Sequence, residues 1–182
     1  MISPQGAKGL KGKEPTESDW KLSWAMLLDW FRFARAMLPH LPLLLVEDNE
    51  DDAFLMMRSL KAAGIQQMIH VAADGQQAID YLAGQGRYAN RENYPLPSVI
   101  FLDLKLPFKS GHEVLAWIRN RRELSEIIVI VLTSSNQPSD LREAYRLGAN
   151  SYAVKPAAAQ QLVDFATAFK RYWFDFNHTS GD

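Results

Sequence analysis

Apolar runs in this 182-residue chain end in groups that can do chemistry. Leu43–Val46 is followed by Glu47 and Asp48, and Val99–Leu102 by Asp103. Residues 127–132 are followed by Thr133, and Ser151–Val154 by Lys155 and Pro156. If these runs are neighbouring strands, three carboxylates, a hydroxyl and an ammonium meet at one edge. Carboxylates gathered in one crevice repel one another unless a hard cation neutralises them. An incomplete cage of oxygen donors suits Mg²⁺, which keeps several waters. A carboxylate held there can attack a phosphoryl group, while the hydroxyl and the ammonium hold the transferred oxygens.

The elements needed to position these groups follow from the pattern between them. Leu43–Val46 and Val99–Leu102 are continuous apolar runs, as expected of strands covered on both faces. Residues 127–132 are rich in β-branched side chains. Residues 68–72 form another short strand, and Ser151–Val154 the last. Between them, helical spacing predicts a helix over 49–63 with Phe54, Met57 and Leu60 inward and Gly64 past its end. Further helices are expected over 76–82, over 111–122 through Val114, Leu115 and Ile118, and over 138–147 before Gly148. A last helix over 158–176 carries Leu162, Phe165, Ala166, Phe169, Trp173 and Phe176. Residues 84–97 read as a polar, turn-rich insertion. Five alternating βα units argue for an α/β domain with a parallel sheet covered on both faces. Ligands in such sheets sit at the carboxyl ends of the strands, where the groups above fall.

Composition narrows the function classes. Apolar residues are 47% and charged residues 23%, as in ordinary globular domains. Lys plus Arg is 20 against Asp plus Glu 21, so no basic excess favours nucleic acid or an anionic membrane. Cysteine is absent, which excludes disulfides, thiolate metal sites and a Cys nucleophile. His40, His70, His112 and His178 lack metal-ligand spacing. Arg119, Arg121 and Arg122 sit where the end of a helix favours positive charge, so they are not read as a nucleic-acid patch. Residues 1–19, rich in Gly, Pro and Lys, are expected to be disordered. Residues 19–38 read as a helix with two apolar stripes, one through Trp20, Trp24, Leu27 and Phe31 and one through Leu22, Met26, Trp30 and Phe33. Lys21, Asp29, Arg32 and Arg35 interrupt it, so it is not read as a membrane span, and a cytoplasmic location is expected. The expected division is an extension over 1–38 and a main domain over 39–182. Residues 1–36 are either dispensable, reflecting a start upstream of Met37, or part of an accessory helix that docks or oligomerises.

The motifs LLLVEDNEDD, VIFLDLKLPFKSG, VIVLTSSN and GANSYAVKP occur in that order from residue 43 to residue 156. In these motifs the chain resembles the CheY-like receiver domain of two-component response regulators, over residues 41–176. The insertion QGRYANRENYPLP further resembles the single-domain regulators of bacterial phytochrome-type histidine kinases. The resemblance implies a flavodoxin-like (βα)5 doubly wound sheet of strand order 2-1-3-4-5, here with an N-terminal helical extension.

It also implies roles for residues. Asp103 is the expected phosphoacceptor. Asp48 ligates Mg²⁺ directly, Glu47 acts mostly through water, and Lys105 lends its backbone carbonyl. Thr133 and Lys155 hold the phosphoryl group, Tyr152 is the aromatic switch, and a cis Pro156 shapes its loop. Lys105 and Ser135 occupy the positions that tune phosphoryl lifetime. The implied function is phosphoryl acceptance from a histidine kinase and signalling by phosphorylation-dependent protein contact. Chemistry is limited to Mg²⁺-dependent self-phosphorylation and autodephosphorylation, so the chain is not an enzyme in the usual sense. Alternatives are a phosphorylation-independent interaction module or a phosphorelay intermediate. Phe165, Phe169, Tyr172, Trp173, Phe174 and Phe176 exceed what one helical stripe can bury. A homodimer through the last two helices and strand five is therefore expected, with an unknown downstream protein as the other partner. Two features depart from the family pattern: Glu47 replaces the commoner Asp, and Lys105 adds a cation beside the acceptor.

Rival chemistries fit less well. A haloacid-dehalogenase phosphatase needs a second carboxylate two residues after the nucleophile, where this chain has Lys105. A flavodoxin-type carrier needs a phosphate-binding loop after strand one, where Glu47 to Asp52 would repel phosphate.

Overall fold

The computed structural model describes residues 41–177, so the expected extension over 1–38 lies outside the described residues. Five strands, β1 (Leu43–Val46), β2 (Ile69–Ala72), β3 (Val99–Leu102), β4 (Ile128–Thr133) and β5 (Ser151–Val154), alternate with five helices. These are α1 (Glu50–Ala62), α2 (Gly75–Ala83), α3 (Gly111–Arg119), α4 (Pro138–Arg146) and α5 (Ala159–Lys170). The sheet has the order β2-β1-β3-β4-β5 and every pairing is parallel, as expected for this doubly wound class.

The continuous apolar runs are explained by the layers. Every residue of β1 and of β3 is buried, because helices cover both faces of these inner strands. Leu44, Val46, Ile100 and Leu102 pack with Ala78, Tyr81 and Leu82 of α2 and Val114, Leu115 and Ile118 of α3. Leu43, Leu45, Val99 and Phe101 face Ala53, Met56 and Leu60 of α1 and Leu162, Ala166 and Phe169 of α5. Helix starts are chemically marked. Asn49 caps α1 by accepting from the Asp52 N–H at 3.0 Å, and Glu50, Asp51 and Asp52 complement the dipole of the first turn. Ser110 and Glu113 form a reciprocal capping box at α3.

Three local expectations need correction. Phe54, expected inward, is 58% exposed; α1 instead buries Ala53, Met56 and Leu60, a stripe turned by one residue. The last helix does not run unbroken to 176, because Arg171–Phe176 is a π-helical turn in which the Asn177 N–H reaches the Tyr172 carbonyl at 2.7 Å. The wider turn rotates the chain, so Trp173 and Phe174 pack on the core while Phe176 is 61% exposed. The insertion is more than turns. Its Gly86–Tyr88 segment is a 3₁₀ turn that buries Tyr88, and Tyr81, Tyr88, Tyr94 and His70 pack ring against ring. Arg91 then donates to the carbonyls of Tyr81 at 2.7 Å and Leu82 at 2.6 Å, satisfying the open end of α2. Among the described residues, no helix is long and apolar enough to cross a membrane.

Two glycines fix the loop between β3 and α3. A Cβ on Gly75 would sit 2.0 Å from the Lys109 carbonyl oxygen, and one on Gly111 would sit 2.1 Å from that of Asp103. Both obstacles are backbone, so neither can swing aside. Gly75→Ala is expected to lower stability by about 2–3 kcal/mol through overpacking, measured by urea unfolding.

His70 generates a second test. Its Nε2 is buried without a partner, and burial holds its pKa below the ordinary 6.5. The unfolded chain therefore takes up this proton first, and stability falls as pH falls through that range. His70→Phe is expected to flatten the loss of melting temperature between about pH 7.5 and about pH 5, the interval in which a histidine titrates.

Candidate functional site

Parallel register brings the chemical groups together. Val46 pairs with Leu102, Leu102 with Val131, and Thr133 with Val154, so the residues that follow emerge at one edge. Backbone bonds continue the ladder into the site. The Asp103 N–H donates to the Val46 carbonyl at 3.0 Å and the Lys155 N–H to the Thr133 carbonyl at 2.8 Å. Glu47, Asp48 and Asp103 present carboxylate oxygens that all lie within 4.8 Å of one another. Glu47 and Asp103 are buried, whereas Asp48 faces solvent.

One ammonium joins the cluster. Lys155 Nζ lies 2.7 Å from Asp103 Oδ2, 2.5 Å from Glu47 Oε2 and 3.2 Å from Asp52 Oδ2. Burial works to discharge this ammonium, but hydrogen bonds to Asp103 and Glu47 outweigh it and raise the Lys155 pKa. Burial pushes the Glu47 carboxyl up; Lys155 opposes that shift and the neighbouring Asp103 charge adds to it. Asp103 is oriented at both oxygens, because Oδ1 accepts the Lys105 N–H at 3.1 Å while Oδ2 faces Lys155. The donors are hard oxygens, and the carboxylates of Glu47, Asp48, Asp52 and Asp103 against one ammonium leave the crevice negative. The residues present therefore fit a divalent cation.

On the β4 side, Thr133 is fully buried and its Oγ1 accepts the Ser135 N–H at 3.4 Å. Ser135 is buried too, with its hydroxyl bonded to Asp140 in the first turn of α4. The Tyr152 hydroxyl donates to the Ser135 carbonyl at 3.0 Å, and its ring packs with Leu104, Val131 and Ala144. Tyr152 thus bonds to the loop that carries Thr133. The expectation of a cis Pro156 is corrected: no described peptide bond is cis. Trans is the lower-energy isomer of an X-Pro bond, and with it Lys155 still reaches Glu47, Asp52 and Asp103.

Two participants escaped the sequence reading. Asp52 reaches Lys155 from the first turn of α1, and the acidic run after β1 held the signal. Asp140 anchors Ser135, and only its place in the first turn of a helix marked it.

The crowding of acids predicts a measurable trade-off. Glu47→Gln removes one buried charge and is expected to raise the melting temperature in chelator and to weaken stabilisation by an added divalent cation. Differential scanning calorimetry with and without the ion reads both changes.

Comparison with known proteins agrees with this geometry. The sequence model of the response regulator receiver domain matches residues 43–167. The probable methanogenesis regulatory protein FilR2 of Methanothrix harundinacea is 40% identical over 142 residues, covering 76% of this chain and 87% of that protein. Response regulator Rcp1 of Synechocystis is 37% identical over 133 residues, covering 73% of this chain and 88% of that protein. The crystal structure of the Mn²⁺-bound form of Rcp1 superposes with a TM-score of 0.68 at 36% identity, covering 76% of this chain and 97% of that one. The phosphorylated cyanobacterial phytochrome response regulator RcpA gives a TM-score of 0.71 at 34% identity, with the same coverage of 76% and 97%. The strand order, the acidic crevice with its lysine and these matches lead to one conclusion: the chain belongs to the response regulator receiver family.

Proposed function

We propose that this chain accepts a phosphoryl group on Asp103 from a histidine kinase of the phytochrome type, in a reaction that requires Mg²⁺. The observation that carries the reading is the posture of Asp103. It is a buried carboxylate with one oxygen on a backbone N–H and the other on an ammonium, beside two further acids. In the transfer, an Asp103 carboxylate oxygen forms a bond to phosphorus. The bond from phosphorus to the histidine nitrogen breaks, and that nitrogen keeps the electron pair. Glu47, Asp48, Asp103 and the Lys105 carbonyl would hold the ion, which supplies charge neutralisation for the acids and for the phosphoryl oxygens. The hard oxygen donors support this choice, as does the divalent cation in the Rcp1 structure.

Lys155 is the ready partner for a phosphoryl oxygen, because its ammonium already touches Asp103. Thr133 takes another oxygen through its hydroxyl. Movement of Thr133 is passed on through the Ser135 backbone, to which Tyr152 is bonded, and so alters the surface of α4 and β5. Lys105 and Ser135 set the lifetime of the acyl phosphate, and Pro156 shapes the loop after Lys155. The output is a phosphorylation-dependent protein contact with a downstream partner. Leu141, Tyr145, Val154, Tyr172 and Phe176 are exposed on α4, β5 and the turn after α5, which supports a homodimer through that face. The working unit is residues 39–182, acting in the cytoplasm, with residues 1–38 as an extension.

Asp103→Asn is nearly isosteric and removes the nucleophile. It is expected to fold with an unchanged circular dichroism spectrum and to show no phosphoryl adduct after treatment with acetyl phosphate and Mg²⁺, read by phosphate-affinity electrophoresis. A labelled band at wild-type intensity would place the acceptor elsewhere.

A further inference from the structure

Asp103 is only 4% exposed, so a protein that delivers phosphorus to it must seat on the loops around the crevice. One of these loops, residues 104–110, carries Phe108 at 85% exposure, the most exposed of the large apolar side chains among the described residues. Phe108 also holds φ 62, a left-handed conformation that bulky L residues rarely adopt. The Lys109 N–H bonds to the Pro107 carbonyl at 2.7 Å across it, closing a γ-turn at the positive-φ residue. The loop has little freedom to relieve this. The Gly111 N–H bonds to the Leu104 carbonyl at 3.0 Å, Ser110 is held in the capping box, and Gly75 leaves no room behind Lys109.

A single exposed apolar side chain needs no explanation by itself. A phenylalanine in a strained turn that its surroundings enforce, on the rim of the reacting site, does. We infer that Phe108 is a docking residue for the protein phosphodonor: an apolar knob that inserts into an apolar notch beside the donor's phosphohistidine. The inference rests on the proposed phosphoryl acceptance and adds the feature by which a protein donor is distinguished from a small one. A small donor reaches Asp103 without touching the rim, whereas a protein donor must cover it. Aromatic anchors contribute most when fully desolvated in a partner's pocket, and the fixed turn removes the ordering cost of presenting the ring.

The test compares two donors on the full chain. Phe108→Gly deletes the ring and suits the positive φ, so it is expected to be at least as thermally stable as wild type. Phe108→Trp keeps a large aromatic. With acetyl phosphate and Mg²⁺, both variants are expected to take up phosphate within about twofold of the wild-type rate. With an autophosphorylated bacterial phytochrome histidine kinase, Phe108→Gly is expected to lose about tenfold or more in kcat/KM, chiefly through KM, while Phe108→Trp stays near wild type. Kinase transfer to Phe108→Gly within twofold of wild type overturns the inference. So does an equal loss with both donors, which would assign Phe108 to the reacting site. A change in oligomeric state by light scattering with kinase transfer intact overturns it in favour of a second copy. Wild type that takes phosphate from acetyl phosphate but not from the kinase overturns the assignment of that donor. Wild type that takes none from either overturns the phosphoryl-acceptor reading itself.

Discussion

The Lys155 ammonium is the contact on which the site is built. It reaches Glu47 after β1, Asp52 in α1 and Asp103 after β3, so one cation ties together acids from three elements. Each partner has a reason to be there only in company with the others. Buried carboxylates without a cation would be strongly unfavourable, and burial of the Lys155 ammonium without acids would favour its neutral form. The acids still outnumber the ammonium, which leaves a negative crevice able to take a second cation. That imbalance is a cost to the resting fold and, on the proposed reading, the condition for its chemistry.

The sheet and the loops divide the remaining work. Strands β1 and β3 are buried throughout and hydrogen-bonded in register, so they fix where Glu47 and Asp103 leave the sheet. The loop after β3 is clamped by close backbone approaches at Gly75 and Gly111. The loop after β4 is held by side chains instead, through Ser135 to Asp140 and through its carbonyl to Tyr152. Side-chain hydrogen bonds can exchange partners at modest cost, whereas a backbone wedged against backbone cannot move without repacking. On the proposed reading this contrast separates the two jobs: a fixed face for receiving the phosphoryl group, and an adjustable one for reporting it.

Much of this could be read in the sequence because two-sided burial and strand ends leave clear marks. Leu43–Val46 and Val99–Leu102 are apolar throughout since both faces are covered, and the polar residues that follow them are the site. What the sequence concealed lay in phase and in long-range packing. In α1, Ala53–Met56–Leu60 and Phe54–Met57–Leu60 are both acceptable helical stripes, and contact with α5 decides between them. The π turn at Arg171–Phe176 shifts the aromatic pattern by a fraction of a turn that no fixed period anticipates. The tyrosines of the insertion look like solvated turn residues until His70 from β2 and Tyr81 from α2 supply their neighbours. Strand order itself was implied by family resemblance, since alternation alone fixes only that the sheet is parallel.

On the proposed reading, the acidic crevice uses a divalent cation to place a phosphoryl group on Asp103. The most direct test of this reading is peptide-level mass spectrometry of the full chain after exposure to acetyl phosphate, once with Mg²⁺ and once with the ion chelated. A single phosphoryl adduct is expected on the peptide that contains Asp103, present with Mg²⁺ and lost in chelator. An adduct of equal yield without the ion, or one mapped to a peptide lacking Asp103, would contradict it.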